Sequence, residues 1–158
     1  MSDEKKVYIN QMPKRFDDDL DYVCCLLCEI AYETDNSLCD VIKYFNRDLI
    51  KGTYELAHVY HCDSYEYVAN EFIENLQIPS GSFERNKVKP DSIELGQVFG
   101  YLIYDLVDYG NSDDMFNCVL EVFGSETARR LEDTENAMYW QSQENIYHYY
   151  VTGEIRWF

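Results

Sequence analysis

DSIELGQVFGYLIYDLV, residues 91–107, is the stretch that decides the fold. Apolar residues recur in it at helical spacing, at Leu95, Val98, Phe99, Leu102, Ile103 and Leu106. This spacing predicts an amphipathic α-helix, and Asp91 followed three residues later by Glu94 predicts its N-terminal cap. Gly96 and Gly100 lie one turn apart within the helix, where the missing side chains let a second helix approach closely.

Helical spacing also dominates the first half of the chain, residues 16–78. Its first helix carries apolar residues over so wide a face that we predict a central position for it, at Leu20, Val23, Cys24, Cys25, Leu26, Leu27, Ile30 and Ala31. We predict a second helix from Asn36-Ser37 to about Asn46 and a third over residues 49–60. A fourth is predicted to open with a capping box that begins at Asp63.

The pattern remains helical beyond residue 107. Gly110-Asn111-Ser112 is predicted to end the helix of residues 91–107 and to cap the next one, over residues 115–124. We predict one further helix over residues 125–138, and either helix or strand for the aromatic tail 145–158. The fold class predicted is therefore all-α, a compact bundle of about seven to eight helices.

The length of the chain and the positions of its prolines predict how it is organised. Its 158 residues are the common size of one domain, so we predict a single domain over residues 1–158. Two of the three prolines mark residues 79–90 as a connection between two halves, ~16–78 and ~91–151. Short apolar blocks of the halves align in the same order, which indicates a diverged duplication or chance matches between helical segments.

Charge excludes several classes of partner. Asp and Glu number 30 against 13 Lys and Arg, so the net charge is −17 at pH 7. A surface this acidic repels nucleic acid and anionic lipid, and no apolar run has the length of a membrane span or a signal peptide. We therefore expect a cytoplasmic protein with reduced cysteines. Cys25-x-x-Cys28 lies in an apolar segment without a second ligand pair, which favours core packing over zinc or redox chemistry.

Few residues have the spacing that catalysis requires. His58, His61 and Cys62 share a helical face beside Asp63, and they form a weak candidate metal site, with capping or hydrogen bonding as the alternative role for the histidines. The sequence shows neither a nucleophile beside a base nor a glycine-rich phosphate loop. We therefore expect a protein that is not an enzyme and that needs no cofactor.

Clustered carboxylates are the candidate partner-binding residues. They are Asp17, Asp18, Asp19 and Asp21, then Asp113 and Asp114, then Glu132, Asp133 and Glu135. Helix capping explains the positions of the first two clusters about as well as function does. It does not explain 17 unbalanced charges, which give no stability. The 15 tyrosines add side chains that serve as rigid anchors at protein interfaces.

Part of the first half resembles a known family. The matching residues are Cys28-Glu29, Val41, Tyr54-Glu55-Leu56, His61 and Asp63-Ser64-Tyr65-Glu66-Tyr67-Val68. Over residues ~20–76 they resemble an uncharacterised bacterial family of small helical domains, found in mobile elements beside toxin-like ADP-ribosyltransferases. The family has a hydroxyl residue after the histidine where this chain has Cys62. The resemblance implies a bacterial or phage accessory protein and implies no activity.

These observations lead to one functional hypothesis and two alternatives. The first is a phage or mobile-element inhibitor that presents carboxylates in place of phosphates and occupies the basic groove of a defence nuclease, a CRISPR or restriction enzyme. The second is an antitoxin or immunity protein that covers a toxin, as the resemblance implies. The third is a small metal-dependent enzyme built on His58, His61 and Cys62.

Overall fold

The computed structural model describes residues 16–157, and within that range the fold is all-helical. The all-α prediction is confirmed. The helices are α1 (Asp18–Thr34), α2 (Leu38–Ile42), α3 (Arg47–Glu55), α4 (Ala57–Tyr60), α5 (Tyr65–Leu76), α6 (Ser92–Asp108), α7 (Met115–Phe123), α8 (Glu126–Leu131), a 3₁₀ helix (Ala137–Trp140) and α9 (Gln143–Thr152). For the tail, residues 145–158, the sequence predicts either helix or strand. It is helical as far as Thr152, and Gly153 ends the helix in the left-handed conformation with φ of 75°.

Helix α1 is the centre of the bundle, as its wide apolar face predicts. Residues 22–28 are all buried, so solvent reaches no side of the helix there. Its most extensive packing is against α6, and α5 covers a second side. Gly96 of α6 is the point of closest approach, because a Cβ atom at this position would lie 2.5 Å from Cα of Cys25. At Gly100 the same atom would be 3.5 Å from its nearest neighbour, an ordinary contact, so α1 approaches less closely there than at Gly96.

Side-chain oxygens cap most of the helices, and two caps differ from the prediction. Asp91 caps α6 as predicted, accepting from Glu94 N. Helix α5 is capped by Ser64, whose Oγ accepts from Tyr67 N, and not by Asp63. Helix α7 is capped by Asp114, and not by Ser112, whose hydroxyl donates to the Asp114 carbonyl. In both cases the cap is the residue directly before the helix, where its oxygen reaches the free N–H groups.

Two predicted helices are interrupted. The predicted helix over 49–60 divides at Leu56 into α3 and α4. The predicted helix over 125–138 ends at Leu131, because side chains beyond it bond to their own backbone: Asp133 Oδ1 accepts from Glu135 N, and Asn136 Oδ1 from Met138 N. Such local bonds compete with the helical ladder. The division at Leu56 accounts for the ninth α-helix among the described residues, one more than the upper end of the seven to eight predicted, and the second division adds the 3₁₀ helix.

The connection between the halves is bonded to the end of α1. Gly81 N donates to Thr34 O at 2.7 Å and Phe83 N to Asp35 O at 2.8 Å. The Asn36 side chain donates to Pro79 O at 2.9 Å, so Asn36 holds the connection while Ser37 alone caps α2. Residues 79–90, predicted as a connection, therefore form an irregular strap fixed to the body.

Residues of both halves form one hydrophobic core, which includes Leu27, Phe72, Phe99 and Ile146. Each half contains five helical segments, and the first segment of each is 17 residues long. This order agrees with the predicted duplication, which stays a prediction. Among residues 16–157 no helix has both the length and the apolar character that a membrane span needs.

Candidate partner-binding surface

Helix α3 brings two of the predicted acidic clusters together. Near its end, the Tyr54 hydroxyl donates to Asp17 Oδ2 at 2.8 Å. At its start, Arg47 Nε donates to Asp114 Oδ2 at 2.7 Å. Phe116 lies between the two contacts, 5.4 Å from the Tyr54 ring and 5.4 Å from the Arg47 guanidinium carbon. Carboxylates that are almost a hundred residues apart in sequence therefore share one end of the molecule, which we call the acidic end.

Two carboxylates of the acidic end are engaged within the fold. Asp17 Oδ1 accepts from Asp19 N and Leu20 N, and its Oδ2 accepts from Tyr54. Asp114 caps α7, and the hydrogen bond from Arg47 is the first cause that holds the pKa of its carboxyl below the usual 3.8. The capping role predicted as the alternative for these two clusters is therefore confirmed for Asp17 and Asp114.

The remaining carboxylates of the acidic end are available to a partner. Asp18 and Asp113 are exposed and Asp19 is partly exposed. Asp48 follows Arg47 and its side chain is 94% exposed. Sequence reasoning missed Asp48 because it stands alone in the sequence, and only the fold of α3 places it beside the two clusters.

A length comparison measures the charge at this end. Arg47 and Tyr54 are seven residues apart on α3, which corresponds to about 11 Å along the helix axis. B-DNA carries about six phosphate charges over the same length. The acidic end carries six carboxylates, the four available ones and the two engaged ones, and with Arg47 their net charge is −6 + 1 = −5. Lys51 and Glu55 of α3 add an ion pair that cancels. The net charge is therefore comparable with the charge on that length of duplex DNA.

The third predicted cluster lies elsewhere, and the partner-binding role predicted for Glu132 is wrong. Its side chain is 2% exposed, pairs with Arg85 at 3.0 Å, and accepts from Leu38 N at 2.9 Å. A carboxylate bonded in this way inside the fold is not a partner-binding residue. Asp133 is partly exposed and bonds to Glu135 N, while Glu135 is exposed. This cluster lies near the far end of α1, about 25 Å from Asp17 by the length of that 17-residue helix.

The partner-binding role predicted for Asp21 is also wrong, because its side chain points toward α6. One oxygen, Oδ2, lies 3.8 Å from the Cys25 thiol, and Oδ1 is buried without a hydrogen-bond partner among residues 16–157. Burial is the main cause that raises the pKa of this carboxyl from 3.8 to about 6, with a smaller contribution from the charge of Asp18. Asp21 therefore belongs to the packing between α1 and α6, and not to the partner-binding surface.

Asp21→Asn is expected to stabilise the protein at neutral pH and to flatten its pH dependence. With a folded pKa near 6 against 3.8, the folded chain binds a proton between these values that the unfolded chain has lost, so stability falls as pH rises through this window. We expect a gain of about 1 kcal/mol at pH 7, smaller than the shift alone implies because the carboxyl is partly exposed to screening solvent. Urea unfolding between pH 4 and 7 measures it. Asp48→Asn, at a side chain that is 94% exposed, is the control and should give no gain in stability at neutral pH. An equal gain in the two variants would contradict the role of burial.

The structure also reveals an acidic group that sequence reasoning missed. Glu29 and Glu33 lie one turn apart on α1, and Glu66 of α5 faces them. Burial, followed by the charges of Glu29 and Glu66, raises the pKa of Glu33. Like charges at this spacing destabilise a helix. The spacing of Glu29 and Glu33 is visible in the sequence, but the packing of α5 against α1 is not.

The two residue groups considered for metal or redox chemistry lie in surroundings that do not suit it. His58, His61 and Cys62 are exposed, and the His61 ring packs on Tyr22 with 4.4 Å between centroids. Within the described part of the chain, no group of three or more His, Cys, Asp or Glu residues is placed to hold a metal ion. Cys25 and Cys28 are buried free thiols, and burial raises the pKa of both well above 9. Core packing is confirmed for Cys25-x-x-Cys28.

The fold and the surface define a class: an all-α domain, over residues 16–157, with carboxylates gathered at one end. Comparison of the chain with protein-family models, with curated proteins and with solved structures finds no match in any of the three. The resemblance of residues ~20–76 to a bacterial helical family therefore stays a prediction. Function has to be argued from the surface itself.

Proposed function

We propose that this protein is an inhibitor that binds a basic, nucleic-acid-binding enzyme of its host and presents carboxylates where phosphates would lie. The observation that supports the proposal is the acidic end, where α3 joins two clusters distant in sequence into one acidic surface with a net charge comparable to that of the same length of DNA. The mechanism is competition with nucleic acid for a basic groove. The target we propose is a defence nuclease in the cytoplasm of a bacterial host; the resemblance of residues ~20–76 favours only the bacterial or phage context and the antitoxin alternative.

Four carboxylates of the acidic end carry the proposed contact: Asp18, Asp19, Asp48 and Asp113. Three of them are exposed and Asp19 is partly exposed, whereas Asp17 and Asp114 hold the scaffold beneath them through Tyr54 and Arg47. Exposed charges steer association over about one Debye length and lose this effect in high salt. Fast binding that weakens with salt is therefore the expected behaviour.

The first experiment is capture of partners from a bacterial lysate at low salt and at ~0.5 M salt, with the captured proteins identified by mass spectrometry. Release of a basic nucleic-acid enzyme by salt supports the proposal. That enzyme is then offered duplex DNA, which should displace the inhibitor. A captured partner that resists ~0.5 M salt and still binds DNA in the complex would overturn the proposal and favour the antitoxin alternative.

Neutralising the four exposed carboxylates tests the acidic end directly. Asp18, Asp19, Asp48 and Asp113 are changed together to Asn, and the association rate with the captured enzyme is expected to fall about ten- to a hundredfold at low salt. The control changes four other exposed acids to Gln, Glu74, Glu84, Glu121 and Glu154. Both variants have a net charge of −17 + 4 = −13. Equal losses in the two variants would show that total charge matters and the acidic end does not.

A further inference from the structure

An apolar patch is exposed at the opposite side of the molecule from the acidic end. Val88 of the strap is 71% exposed and Trp140 of the 3₁₀ helix is 67% exposed, the two largest values among the exposed large apolar side chains of residues 16–157. The two residues lie beside each other because both are bonded to Thr134. The Trp140 indole donates to Thr134 O at 2.7 Å, and the Thr134 hydroxyl donates to Val88 O at 2.5 Å.

The patch is held rigid in this exposed position. Thr134 N donates to Asn86 Oδ1 at 3.0 Å, so the strap and the segment before the 3₁₀ helix are bonded at several points. The Tyr139 ring supports the indole edge to face, with 4.9 Å between centroids. A fixed tryptophan loses little conformational entropy on binding, and tryptophan is one of the residues enriched among those that dominate interface energies.

Charges of both signs surround the patch, unlike the acidic end. Lys87 is exposed next to Val88, and Lys89 lies over the Tyr32 ring at 4.9 Å. Glu135 is exposed on the other side, and Glu94 and Asp91 are close enough to Tyr139 to raise the pKa of its hydroxyl, after burial as the main cause. An apolar centre with a polar rim of lysines and carboxylates matches the anatomy of protein interfaces.

We propose that this patch is the interface of a two-fold dimer, with a second copy of the chain as its occupant. In a two-fold interface each residue meets the same surface of the partner, so a rim with both signs can set the lysines of one copy against the glutamates of the other. A uniformly acidic surface cannot do this. In a chain of net charge −17 the patch is therefore where two copies meet with least repulsion.

The dimer would also change what the proposed inhibitor does. Lys89 contacts Tyr32 near the end of α1, whereas Asp17 begins it, so the patch and the acidic end are separated by the length of α1, about 25 Å. A dimer through the patch leaves both acidic ends free and directed away from the interface. The dimer goes beyond the proposed function. It makes the inhibitor bivalent, because one dimer carries two acidic ends and binds two basic sites with higher avidity than one chain.

Sedimentation from low to high micromolar concentration tests the proposal, with Val88→Asp and a matched control, Val59→Asp. Both valines are exposed, at 71% and 51%. The Val88 carbonyl, and not its side chain, bonds to Thr134, so both variants are expected to fold. The wild type and Val59→Asp should reach twice 18.8 kDa. Val88→Asp should raise the dimer dissociation constant at least about tenfold.

Salt separates this proposal from the proposed function. Raising salt from ~0.05 to ~0.5 M screens the repulsion between two acidic chains, so the dimer should persist, while capture of the basic enzyme should be lost. A wild type that sediments at 18.8 kDa at every concentration overturns the dimer. So does an equal effect of Val88→Asp and Val59→Asp. Neither result bears on partner capture, and failure of partner capture does not bear on the dimer.

Discussion

Arg85→Ala is expected to lower the free energy of unfolding by about 3–5 kcal/mol, because it leaves a buried carboxylate without its cation. Arg85 Nη2 lies 3.0 Å from Glu132 Oε1, with the two side chains 6% and 2% exposed. The guanidinium also donates to Asn36 O at 2.8 Å and lies over the Tyr32 ring at 4.6 Å. Urea unfolding with a fixed denaturant slope measures the loss.

The controls separate burial from simple loss of a charge. Lys43→Ala breaks an exposed pair with Asp40, whose side chains are 72% and 56% exposed, and should cost less than about 0.5 kcal/mol. Arg85→Met combined with Glu132→Leu removes both charges and should recover most of the stability lost in Arg85→Ala. If Arg85→Ala costs no more than Lys43→Ala, the buried pair does not hold the strap to the bundle.

The deficit of Arg85→Ala should also depend on pH. Burial already raises the pKa of Glu132, with Arg85 acting in the opposite direction. Without the guanidinium, the folded pKa rises further, so the folded chain takes up a proton that the unfolded chain lacks. Stability of the variant is then lost as pH rises through the raised pKa, and the deficit shrinks in acid. A deficit that stays constant with pH would contradict this account.

Gly96→Ala should destabilise the protein by about 2–3 kcal/mol although alanine is the better helix former. The added Cβ would lie 2.5 Å from Cα, 2.6 Å from N and 2.6 Å from Sγ of Cys25. Two of these atoms belong to the backbone, which side-chain rotation cannot move, so α1 and α6 have to separate. We expect a fall in Tm of roughly 5 °C or more.

Gly100→Ala, one turn further along α6, is the matched control. Its Cβ would lie 3.5 Å from Asp21 Oδ1, an ordinary contact. Here the helix propensity of alanine is gained without a clash, so stability should rise by about 0.5–1 kcal/mol. Opposite signs for the same substitution in one helix would attribute the effect to the approach of α1. A loss at both positions would mean that α6 tolerates no added methyl group.

Sequence predicts the parts of this fold that depend on neighbours in the chain. The apolar stripe of α6 and its Asp91 cap are local patterns, and the structure confirms them. Local patterns fail where two adjacent residues offer equivalent chemistry. Asp63 and Ser64 both carry capping oxygens, and only the register of α5, set by the burial of Val68, places the cap at Ser64.

The candidate surface shows the same division. Total charge is a property of the composition, so an acidic surface is visible without a structure. Whether a given carboxylate is buried or joins the acidic end depends on residues that are distant in the sequence. Glu132 is buried because Arg85, 47 residues earlier in the chain, neutralises it, and Asp48 joins the acidic end because α3 packs against α7. Neither contact leaves a periodic signal in the sequence.

The rate at which the cysteines react with a thiol reagent measures how fast the helical bundle opens locally. Of six free thiols, Cys62 is exposed and the other five are buried. A thiol-specific reagent in excess should therefore label one site at once under native conditions. Each further label has to wait until part of the bundle opens. Labelling of Cys24, Cys25 and Cys28 therefore reports opening around α1, and labelling of Cys39 and Cys118 reports opening at α2 and α7, without any denaturant.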